Sequence, residues 1–402
     1  MAGTRELRIG VIGAGSRGWL SAHAHQPDRG VRLVAAADVV PAVLQQFQER
    51  YGRETFVTSD YRRILERRDL DAVFVTTPDF LHEEQACAAL ESGKDVYLEK
   101  PMAITIEGCD RILATAVRCR RKLYVGHNMR HFPVVLKMKE LIDKGAIGEV
   151  KSAWCRHFVS YGGDAYFKDW HAERAKSTGL LLQKATHDLD VMHWLCRGFT
   201  RRVTAMGALT LYDRIPDRHG PNERGNASWS NDNWPPLSQK QLNPVMDVED
   251  LSLMLMEYDN GVLASYEQCH YTPDAWRNYT VIGTEGRVEN FGDGPGESVV
   301  RLWNRRQGYN PYGDEQYFIR PLAGSHGGSD PNIVEEFVRY LLDGIKITTS
   351  PVAARFSVAA GCMATHSLRH GSAPMDVPPV PAEIMDYFNA DQVEPLQSGG
   401  PT

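Results

Sequence analysis

The stretch LRIGVIGAGSRG, at residues 7–18, constrains the fold of this chain more than any other feature. Its first half is apolar and β-branched, which is typical of a buried parallel strand. Its second half reads glycine-x-glycine-x-x-glycine, in which Gly13 permits a tight turn and Gly15 lets the backbone approach a diphosphate. Gly18 lets the following helix pack closely against the strand. The stretch therefore predicts the strand, turn and helix that begin a doubly wound α/β sheet.

A second apolar stretch supports that interpretation. Residues 31–37 predict another buried strand, and Asp38 follows it directly. Asp38 lies twenty positions after Gly18 (38 − 18 = 20), where a carboxylate hydrogen-bonds the ribose of an adenine dinucleotide. The glycines alone are weak evidence, and a glycine-rich loop without a cofactor is the alternative. Strand, loop and carboxylate together favour dinucleotide binding.

Composition limits the class of protein. The 402 residues are enough for two or three domains, and 42% hydrophobic with 24% charged residues is typical of a globular protein. A formal net charge of −6 argues against nucleic acid as a partner. Since no apolar stretch of about 18 residues and no basic-then-apolar N-terminus are visible, we expect neither a membrane span nor a secretory signal. Its seven cysteines show no CxxC spacing, so we expect reduced thiols in a cytoplasmic protein.

The first third of the chain alternates predicted strands with predicted helices. Alternation of this kind predicts βαβ units with right-handed crossovers and a parallel sheet. We therefore expect a dinucleotide-binding Rossmann domain over residues 1–127. Its further predicted elements are helices at 41–51, 81–92 and 104–121 and strands at 70–76, 95–98 and 123–126.

The pattern changes in the second part of the chain. Short strands with polar turns dominate, and Asp259-Asn260-Gly261 is a strong hairpin signal between two of them. We expect a C-terminal α+β domain over residues 128–380, with an open, mostly antiparallel sheet and helices on one face. The predicted elements are strands at 150–160, 200–211, 251–258, 262–271 and 279–283 and helices at 332–342 and 353–370.

Two segments stand apart from these elements. Residues 213–247 are rich in Pro, Asn and Asp and carry Trp229 and Trp234. A loop of that length is usually a functional lid or disordered. Residues 381–402 form a Pro-rich tail that we expect to be loosely held, with a short helix at 382–388.

Two motifs follow strands of the predicted parallel sheet. Thr76-Thr77-Pro78 comes after the third strand, at the edge where dinucleotides bind, although an ordinary proline turn is an equal alternative. Glu99-Lys100-Pro101 ends the next strand. Desolvation and a nearby positive nicotinamide would lower the pKa of Lys100 and make it an acid or base near neutral pH. A surface lysine is the alternative.

The other dense region is WHAERAKSTGLLLQKATHDLDVMHW, at residues 170–194. His187 is predicted to open a helix, and Asp188 or Asp190 would orient its ring. His187 would then exchange a proton with a hydroxyl, and Lys184 lies close enough in sequence to point into the same cleft. A capping or core histidine is the alternative.

Three further interpretations of this region stay open. His187 and His193, with the two aspartates between them, would be a metal site, but the histidines are six residues apart rather than four. Trp170 is one of several tryptophans that would stack on sugar faces or simply pack in a core. The basic cluster His171, Arg174 and Lys176 is a solvated face or binds an anionic group.

Together these motifs resemble the Gfo/Idh/MocA family of NAD(P)-dependent oxidoreductases. The resemblance extends to about residue 370 and implies a Rossmann domain joined to an open sheet that often mediates dimers or tetramers. A homodimer or homotetramer is therefore expected. The resemblance rests on GAGSRG at 13–18, Asp38, TTPDFLH at 76–82, EKP at 99–101 and HDLD at 187–190.

The resemblance also implies site residues. Lys100 and His187 would be the acid/base pair acting on hydroxyls of sugars or cyclitols. Many members carry an aspartate four residues before the histidine, whereas this chain has Gln183 there, so Lys184 is a third catalytic candidate. The implied cofactor-binding residues are Gly13, Gly15, Ser16, Arg17, Gly18, Asp38, Thr76, Thr77, Pro78, His82, Glu99, Lys100 and Asn128. The implied substrate-binding residues are Lys100, Trp170, Arg174, Lys184, His187 and Asp188.

The expected cofactor is NAD, because Asp38 followed by two valines disfavours a 2′-phosphate, although Arg17 leaves room for NADP. No metal is expected. The main hypothesis is an NAD-dependent dehydrogenase that oxidises a secondary hydroxyl of a sugar, glycoside or cyclitol. One alternative is an NAD-dependent glycosidase that oxidises the sugar transiently, eliminates the aglycone, adds water and returns the hydride. A non-catalytic NAD-binding regulator is a second alternative.

Overall fold

The computed structural model describes residues 6–221, 223, 225, 229–294, 297–320, 322, 326–390 and 392. The chain divides into two compact units. The first comprises residues 1–127, 330–355 and 379–402, and the second comprises residues 128–329 and 356–378. Each unit thus joins segments that are distant in sequence, whereas the boundaries predicted from the sequence are contiguous.

The strands are numbered in chain order within the described residues. They are β1 (Leu7–Ile12), β2 (Val31–Ala37), β3 (Phe56–Thr58), β4 (Ala72–Val75), β5 (Asp95–Leu98), β6 (Leu123–Val125), β7 (Val150–Phe158), β8 (Thr200–Ala208), β9 (Leu251–Tyr258), β10 (Leu263–Cys269), β11 (Trp276–Gly283), β12 (Arg287–Phe291), β13 (Ser298–Trp303), β14 (Glu315–Ile319) and β15 (Met375–Asp376).

The α-helices of the same residues follow one numbering as well, and short 3-10 turns join several of them. They are α1 (Pro41–Tyr51), α2 (Arg62–Leu65), α3 (His82–Glu91), α4 (Ile106–Cys119), α5 (Pro133–Asp143), α6 (Gly162–Tyr166), α7 (Arg174–Ser177), α8 (Leu180–Gln183), α9 (Ala185–Cys196), α10 (Ser329–Asp343), α11 (Pro351–Arg369) and α12 (Ala382–Asn389).

The first unit is built on a six-stranded parallel sheet in the order β3-β2-β1-β4-β5-β6. The predicted Rossmann architecture is therefore confirmed. The order reverses between β1 and β4, and ligands of doubly wound sheets bind at the carboxyl ends of the strands beside such a reversal. The glycine-rich turn that follows β1 lies at that edge.

Helix α10 contributes to the core of the first unit although it lies some 200 residues beyond its neighbours in sequence. Phe337 is fully buried, and its ring lies 5.4 Å from that of Phe74 and 5.5 Å from that of Tyr97. Burying one such ring stabilises a fold by about 2–3 kcal/mol. This packing explains why the first unit is not contiguous in sequence.

The end of the chain also packs within the first unit. Ile384 and Phe388, on α12, are buried. The side chain of Gln392 accepts a hydrogen bond from the backbone N–H of Leu123 at 2.6 Å and donates to its carbonyl at 2.9 Å. The predicted loose tail is therefore wrong for its first part, because this amide pairs with the edge strand β6 as a neighbouring strand would. Its remainder, residues 391 and 393–402, lies outside the described residues.

The second unit is built on a nine-stranded sheet in the order β14-β13-β12-β11-β7-β10-β9-β8-β15. Only β7 and β10 pair in parallel among its described strands, so the predicted mostly antiparallel sheet is confirmed. The predicted hairpin joins β9 and β10, and Gly261 adopts φ +83° in its turn. Helix α9 packs on the inner face, against β7 and β11.

Four described strands of this sheet were not predicted: β12 to β14, whose apolar pattern is interrupted by charged and polar residues, and β15, which is only two residues long. The segment at 213–247, where described, is irregular with short 3-10 turns, but it is held in place. Asn233 donates to the carboxylate of Asp164, and the N–H of Asn243 donates to the carbonyl of Phe167 at 2.8 Å. Across the described part of the chain, helices fall short of the length and apolarity needed for a membrane span.

Candidate active site

The turn after β1 has the tight geometry that a diphosphate-binding loop needs. Gly13 adopts φ +85°, and its N–H donates to the carbonyl of Ala37 at 2.8 Å. A Cβ on Gly13 would lie 2.8 Å from a methyl of Thr77, and a Cβ on Gly18 would lie 2.1 Å from the carbonyl oxygen of Gly13. Real Cβ atoms do not approach this closely. The turn therefore requires glycine at both positions, as the fingerprint predicts.

Asp38 lies beside this turn. Its carboxylate accepts hydrogen bonds from the N–H of Gly15 at 3.1 Å and from the N–H of Val40 at 2.9 Å. Each carboxylate oxygen has a further lone pair, so the group has the capacity to accept from ribose hydroxyls as well. Ser16, with φ +41°, is exposed between the two glycines. The described residues of the turn thus fit an adenine dinucleotide with an unphosphorylated ribose.

The motif after β4 joins neighbouring loops. The hydroxyl of Thr76 donates to the carbonyl of Gly13 at 2.7 Å, and the hydroxyl of Thr77 donates to Gln85 at 2.6 Å. His82 is fully buried, and its ring nitrogens lie 2.8 Å from the carbonyl oxygens of Pro101 and Thr77. His82 therefore supports the loops after β4 and β5, and its contact with the cofactor stays a prediction.

The EKP motif follows β5, at the same edge of the sheet. Glu99 is buried, and its carboxylate accepts from the N–H of Lys100 at 3.1 Å and from Arg17 at 2.8 Å. Arg17 also donates to both oxygens of Asp330, at 2.7 and 2.9 Å. The guanidinium of Arg17 thus lies between two carboxylates of the protein. In this arrangement it is engaged by Glu99 and Asp330 and is not offered to the 2′-phosphate of NADP.

Helices α8 and α9 carry the second set of candidates, in the second unit. Gln183, Lys184 and His187 are all buried. The helix begins at Ala185, two residues earlier than predicted, so His187 lies in its first turn. Asn128, predicted to touch the cofactor, opens the 3-10 turn Asn128–His131 of this unit and is also buried.

Lys184 has an unusual environment for a lysine. Its Nζ lies 5.3 Å from the ring centroid of Tyr161 and 5.4 Å from that of Tyr166. Burial, together with the positive charge of Arg277, lowers the pKa of Lys184 to about 7, and Asp188 opposes this fall only in part. An amine with that pKa exchanges protons near neutral pH, which is the property required of a general base.

Asp188 is enclosed by side chains of the nine-stranded sheet. It is fully buried and accepts hydrogen bonds from the hydroxyls of Tyr266, at 3.0 Å, and Tyr279. Its carboxylate also lies 2.8 Å from Nε of Arg277 and 3.0 Å from Nδ1 of His157. Four neighbours on β7, β10 and β11 thus surround the carboxylate of Asp188, which counts against the prediction that Asp188 binds substrate.

The titration of this network follows from its charges. Burial alone would raise the pKa of Asp188, but Arg277 and His157 outweigh burial and lower it below the usual range of aspartate. Burial and Arg277 lower the pKa of His157 to about 3, so its ring is neutral at physiological pH. The sequence predicted β7, β10 and β11 as strands but indicated none of the four side chains on them that contact Asp188, because no local pattern marks these residues as its partners.

The other predicted members of this region have separate partners. Asp190 forms a buried pair with Arg130, with two contacts of 2.7 Å. His193 lies 2.8 Å from the hydroxyl of Thr200. Within the described residues, no group of three or more His, Cys, Asp or Glu side chains is placed to hold a metal ion.

The predicted substrate contacts of Trp170 and Arg174 have weaker support. The ring of Trp170 stacks on His171, with centroids 3.7 Å apart. The guanidinium of Arg174 donates to the carbonyl of Asp247 and lies 3.4 Å from a carboxylate oxygen of Glu249, and Lys176 lies 2.9 Å from a carboxylate oxygen of Glu173. These carboxylates compensate the basic cluster, which favours the solvated face over the anion site.

Comparisons with known proteins agree with this geometry. Residues 7–127 match the family model "Oxidoreductase family, NAD-binding Rossmann fold", and residues 135–289 match the model "GFO/IDH/MocA C-terminal domain". The oxidoreductase YteT of Bacillus subtilis (strain 168) is 28% identical over 334 residues, which cover 72% of this chain and 78% of that protein.

Two more relatives carry names that indicate a substrate. Inositol 2-dehydrogenase/D-chiro-inositol 3-dehydrogenase of Shouchella clausii is 30% identical over 219 residues, covering 54% of this chain and 60% of that enzyme. The fold is similar to that of levoglucosan dehydrogenase, solved in complex with NADH and levoglucosan. That match has a TM-score of 0.74 and 22% identity, and it covers 93% of this chain and all of the other.

Proposed function

Since the chain belongs to the Gfo/Idh/MocA family of NAD-binding oxidoreductases, we propose that it is a dehydrogenase that oxidises a secondary hydroxyl of a sugar, glycoside or cyclitol. The proposal rests on the family together with one structural observation. A turn that tolerates only glycine at Gly13 and Gly18 adjoins the carboxylate of Asp38, as NAD binding requires. The names of the relatives, which act on inositols and levoglucosan, favour this class of substrate.

The bound NAD would supply the hydride acceptor at the nicotinamide. Its diphosphate would lie against the backbone of the glycine turn, where an added side chain would collide with the backbone itself. Asp38 would accept hydrogen bonds from the adenosine ribose. NAD is favoured over NADP because a carboxylate repels a 2′-phosphate and because Arg17 is already paired with Glu99 and Asp330.

We propose that Lys100 and His187 are the acid/base pair, as the family resemblance implies. One of them removes the hydroxyl proton and the other donates a hydrogen bond to the oxygen of the forming ketone. Gln183 cannot act as a base. Lys184 is buried with a pKa of about 7, so we assign it as a second base that carries the proton onward.

The test is a panel of sugars, glycosides and inositols, incubated separately with NAD and with NADP. Formation of the reduced nicotinamide would be followed by its absorbance, and products would be identified. We expect one or more polyols to yield stoichiometric NADH and a ketone. Cleavage of a glycoside without accumulation of NADH would identify the redox-neutral glycosidase instead. Absence of both reactions with every member of the panel would count against a catalytic role.

We also propose that the protein forms a homodimer or homotetramer through the outer face of the nine-stranded sheet. This face carries four large apolar side chains that are 43–67% exposed, which is unusual for a surface that stays in water. Sedimentation analysis would give the mass of the assembly, and a monomer would contradict the proposal. The four exposed apolar side chains on the outer face of the sheet are Met206, Leu253, Leu255 and Leu263.

The free cysteines of the protein agree with a cytoplasmic location.

A further inference from the structure

Arg17 is the centre of a charged cluster in the first unit, consisting of Arg17, Glu99 and Asp330, which we name the Arg17 cluster. Nε of Arg17 lies 2.8 Å from one carboxylate oxygen of Glu99. Its two terminal nitrogens donate to the two oxygens of Asp330, at 2.7 and 2.9 Å. The guanidinium is therefore engaged along two edges, and this two-sided geometry is the strong form of an arginine–carboxylate contact.

The three members come from three different elements. Arg17 belongs to the glycine-rich turn, Glu99 follows β5, and Asp330 lies in the first turn of α10, 313 residues from Arg17. The second oxygen of Glu99 accepts from the backbone N–H of Lys100 at 3.1 Å. A Cβ at Gly126 would lie 3.2 Å from the carboxyl carbon of Glu99, so the carboxylate is also packed against the neighbouring strand end. Glu99 thus connects the glycine turn to the backbone of Lys100.

The cluster is also shielded from water and carries a net charge. The side chains of Glu99 and Asp330 are 6% and 7% exposed, and that of Arg17 is 25% exposed. Burial would lower the pKa of Arg17, but Glu99 and Asp330 outweigh burial and raise it above the usual range. One guanidinium and two carboxylates leave the cluster with a single negative charge, and one of the carboxylates is hydrogen-bonded to the backbone N–H of Lys100. Screening by solvent is weak at such a site, so a change of one charge in the cluster alters the electrostatic potential at the residue bonded to it.

We propose that Arg17 is a positioning residue for Lys100, which holds Glu99 and sets the charge beside the lysine, instead of binding a cofactor phosphate. This inference rests on the proposed function, in which Lys100 exchanges the substrate proton. It assigns a role in proton transfer to a residue of the glycine-rich turn. It also assigns a functional reason to the distant Asp330, which holds the opposite edge of the same guanidinium.

Several other titratable groups of the first unit lie near the EKP motif and stay unchanged in the test. The pKa of Tyr97 is raised by burial and by Glu99, so its phenol is neutral. One ring nitrogen of His82 lies 2.8 Å from the carbonyl of Pro101, and His127 follows Gly126. The charges that the test alters are therefore confined to the Arg17 cluster.

The experiment measures the pH dependence of kcat in variants that change the charge of the cluster in opposite directions. Arg17→Gln makes the cluster more negative, which favours the protonated form of Lys100. The limb of the pH–kcat profile that reports the protonation of Lys100 should therefore move to higher pH by about half a pH unit. Glu99→Gln and Asp330→Asn make it less negative and should move the limb to lower pH by a similar amount. A purely structural role would not give shifts of opposite sign.

Kinetic constants provide a second readout. We expect Arg17→Gln to lower kcat about tenfold through misplacement of Lys100, while KM for NAD rises less than about threefold. The ratio of kcat/KM for NADP to that for NAD should stay within about twofold of the wild type. Arg17→Lys keeps the positive charge but cannot hydrogen-bond Glu99 and Asp330 along two edges at once. The limb of its pH–kcat profile should therefore lie at the wild-type pH while kcat stays reduced.

Arg29 offers a matched control, because it pairs with Glu335 on the same helix α10 at 2.8 Å but is 41% exposed. Arg29→Gln should leave the pH limb and kcat unchanged. Thermal unfolding of every variant shows whether it folds. If Arg17→Gln does not fold, Glu99→Gln and Asp330→Asn still test the direction of the shift.

Three results would overturn the proposal. The first is a pH limb that moves in the same direction, or not at all, in the two sets of variants. The second is a rise of more than about tenfold in KM for NAD with kcat intact, and the third is a selective loss of NADP use, since both would make Arg17 a cofactor ligand. Failure of the proposed function is distinguishable, because the wild-type protein would then oxidise nothing in the substrate panel.

Discussion

Replacing Lys184 with methionine should stabilise the protein at low pH. The ammonium of Lys184 is buried between two tyrosine rings, and its pKa falls from the ordinary 10.5 to about 7. The folded chain therefore binds fewer protons than the unfolded chain between about pH 7 and the ordinary lysine range. In that window the stability of the wild-type protein rises with pH, and below it the full cost of the buried charge is present.

The size of the effect follows from the change in pKa. The fall from 10.5 to about 7 corresponds to roughly 5 kcal/mol, at about 1.4 kcal/mol for each pH unit. Relaxation around a buried charge reduces such values, so we expect Lys184→Met to gain about 2 kcal/mol at pH 6 and somewhat less than half of that at pH 9. Methionine has a similar length and retains the contact with the aromatic rings.

The assay is the urea midpoint of unfolding at pH 6, 7, 8 and 9, compared between the wild type and Lys184→Met. Lys176→Met is the matched control, since Lys176 is 40% exposed and pairs with Glu173. Its free energy of unfolding should stay within about 0.5 kcal/mol of the wild-type value at each pH. A loss of stability in Lys184→Met at pH 6, or a gain that does not shrink between pH 6 and pH 9, would refute the reasoning.

Three further predictions concern the two units separately. Gly18→Ala should weaken NAD binding at least tenfold, measured by fluorescence titration, because the added Cβ would lie 2.1 Å from a carbonyl oxygen of the turn. Asp188→Asn should destabilise the protein by about 3 kcal/mol at neutral pH in urea unfolding, because it leaves the buried Arg277 undercompensated, and the loss should diminish under acid conditions. Lys100→Ala should lower turnover at least about a hundredfold in steady-state kinetics while NAD binding is retained.

The first unit was largely predictable because its signals are local. The apolar run, the glycines and Asp38 lie within 32 residues (7–38), and each constrains the backbone at its own position. The turn at Asp259-Asn260-Gly261 was predictable for the same reason. In both cases the residue types themselves indicate the local backbone geometry, because few residue types adopt the required backbone angles.

The partners of the charged side chains were not predictable in that way. Arg17 pairs with Asp330 across 313 residues, and Asp188 pairs with tyrosines 78 and 91 residues away. An isolated arginine or aspartate in a sequence looks the same whether it is solvated or enclosed. The sequence therefore indicated Arg17 as a possible phosphate ligand and Asp188 as a substrate ligand, although each is enclosed by distant parts of its own unit.

The buried network also determines how strongly Lys184 is perturbed. Arg277 lowers the pKa of Lys184, whereas Asp188 raises it, so the value of about 7 reflects partial cancellation. Removing the negative charge with Asp188→Asn should therefore move the pKa of Lys184 below about 7. If Lys184 is the second base, the acidic limb of the pH–rate profile should move to lower pH in Asp188→Asn. The limb should be absent in Lys184→Met, and a limb that persists there at its original pH would transfer the role to another group.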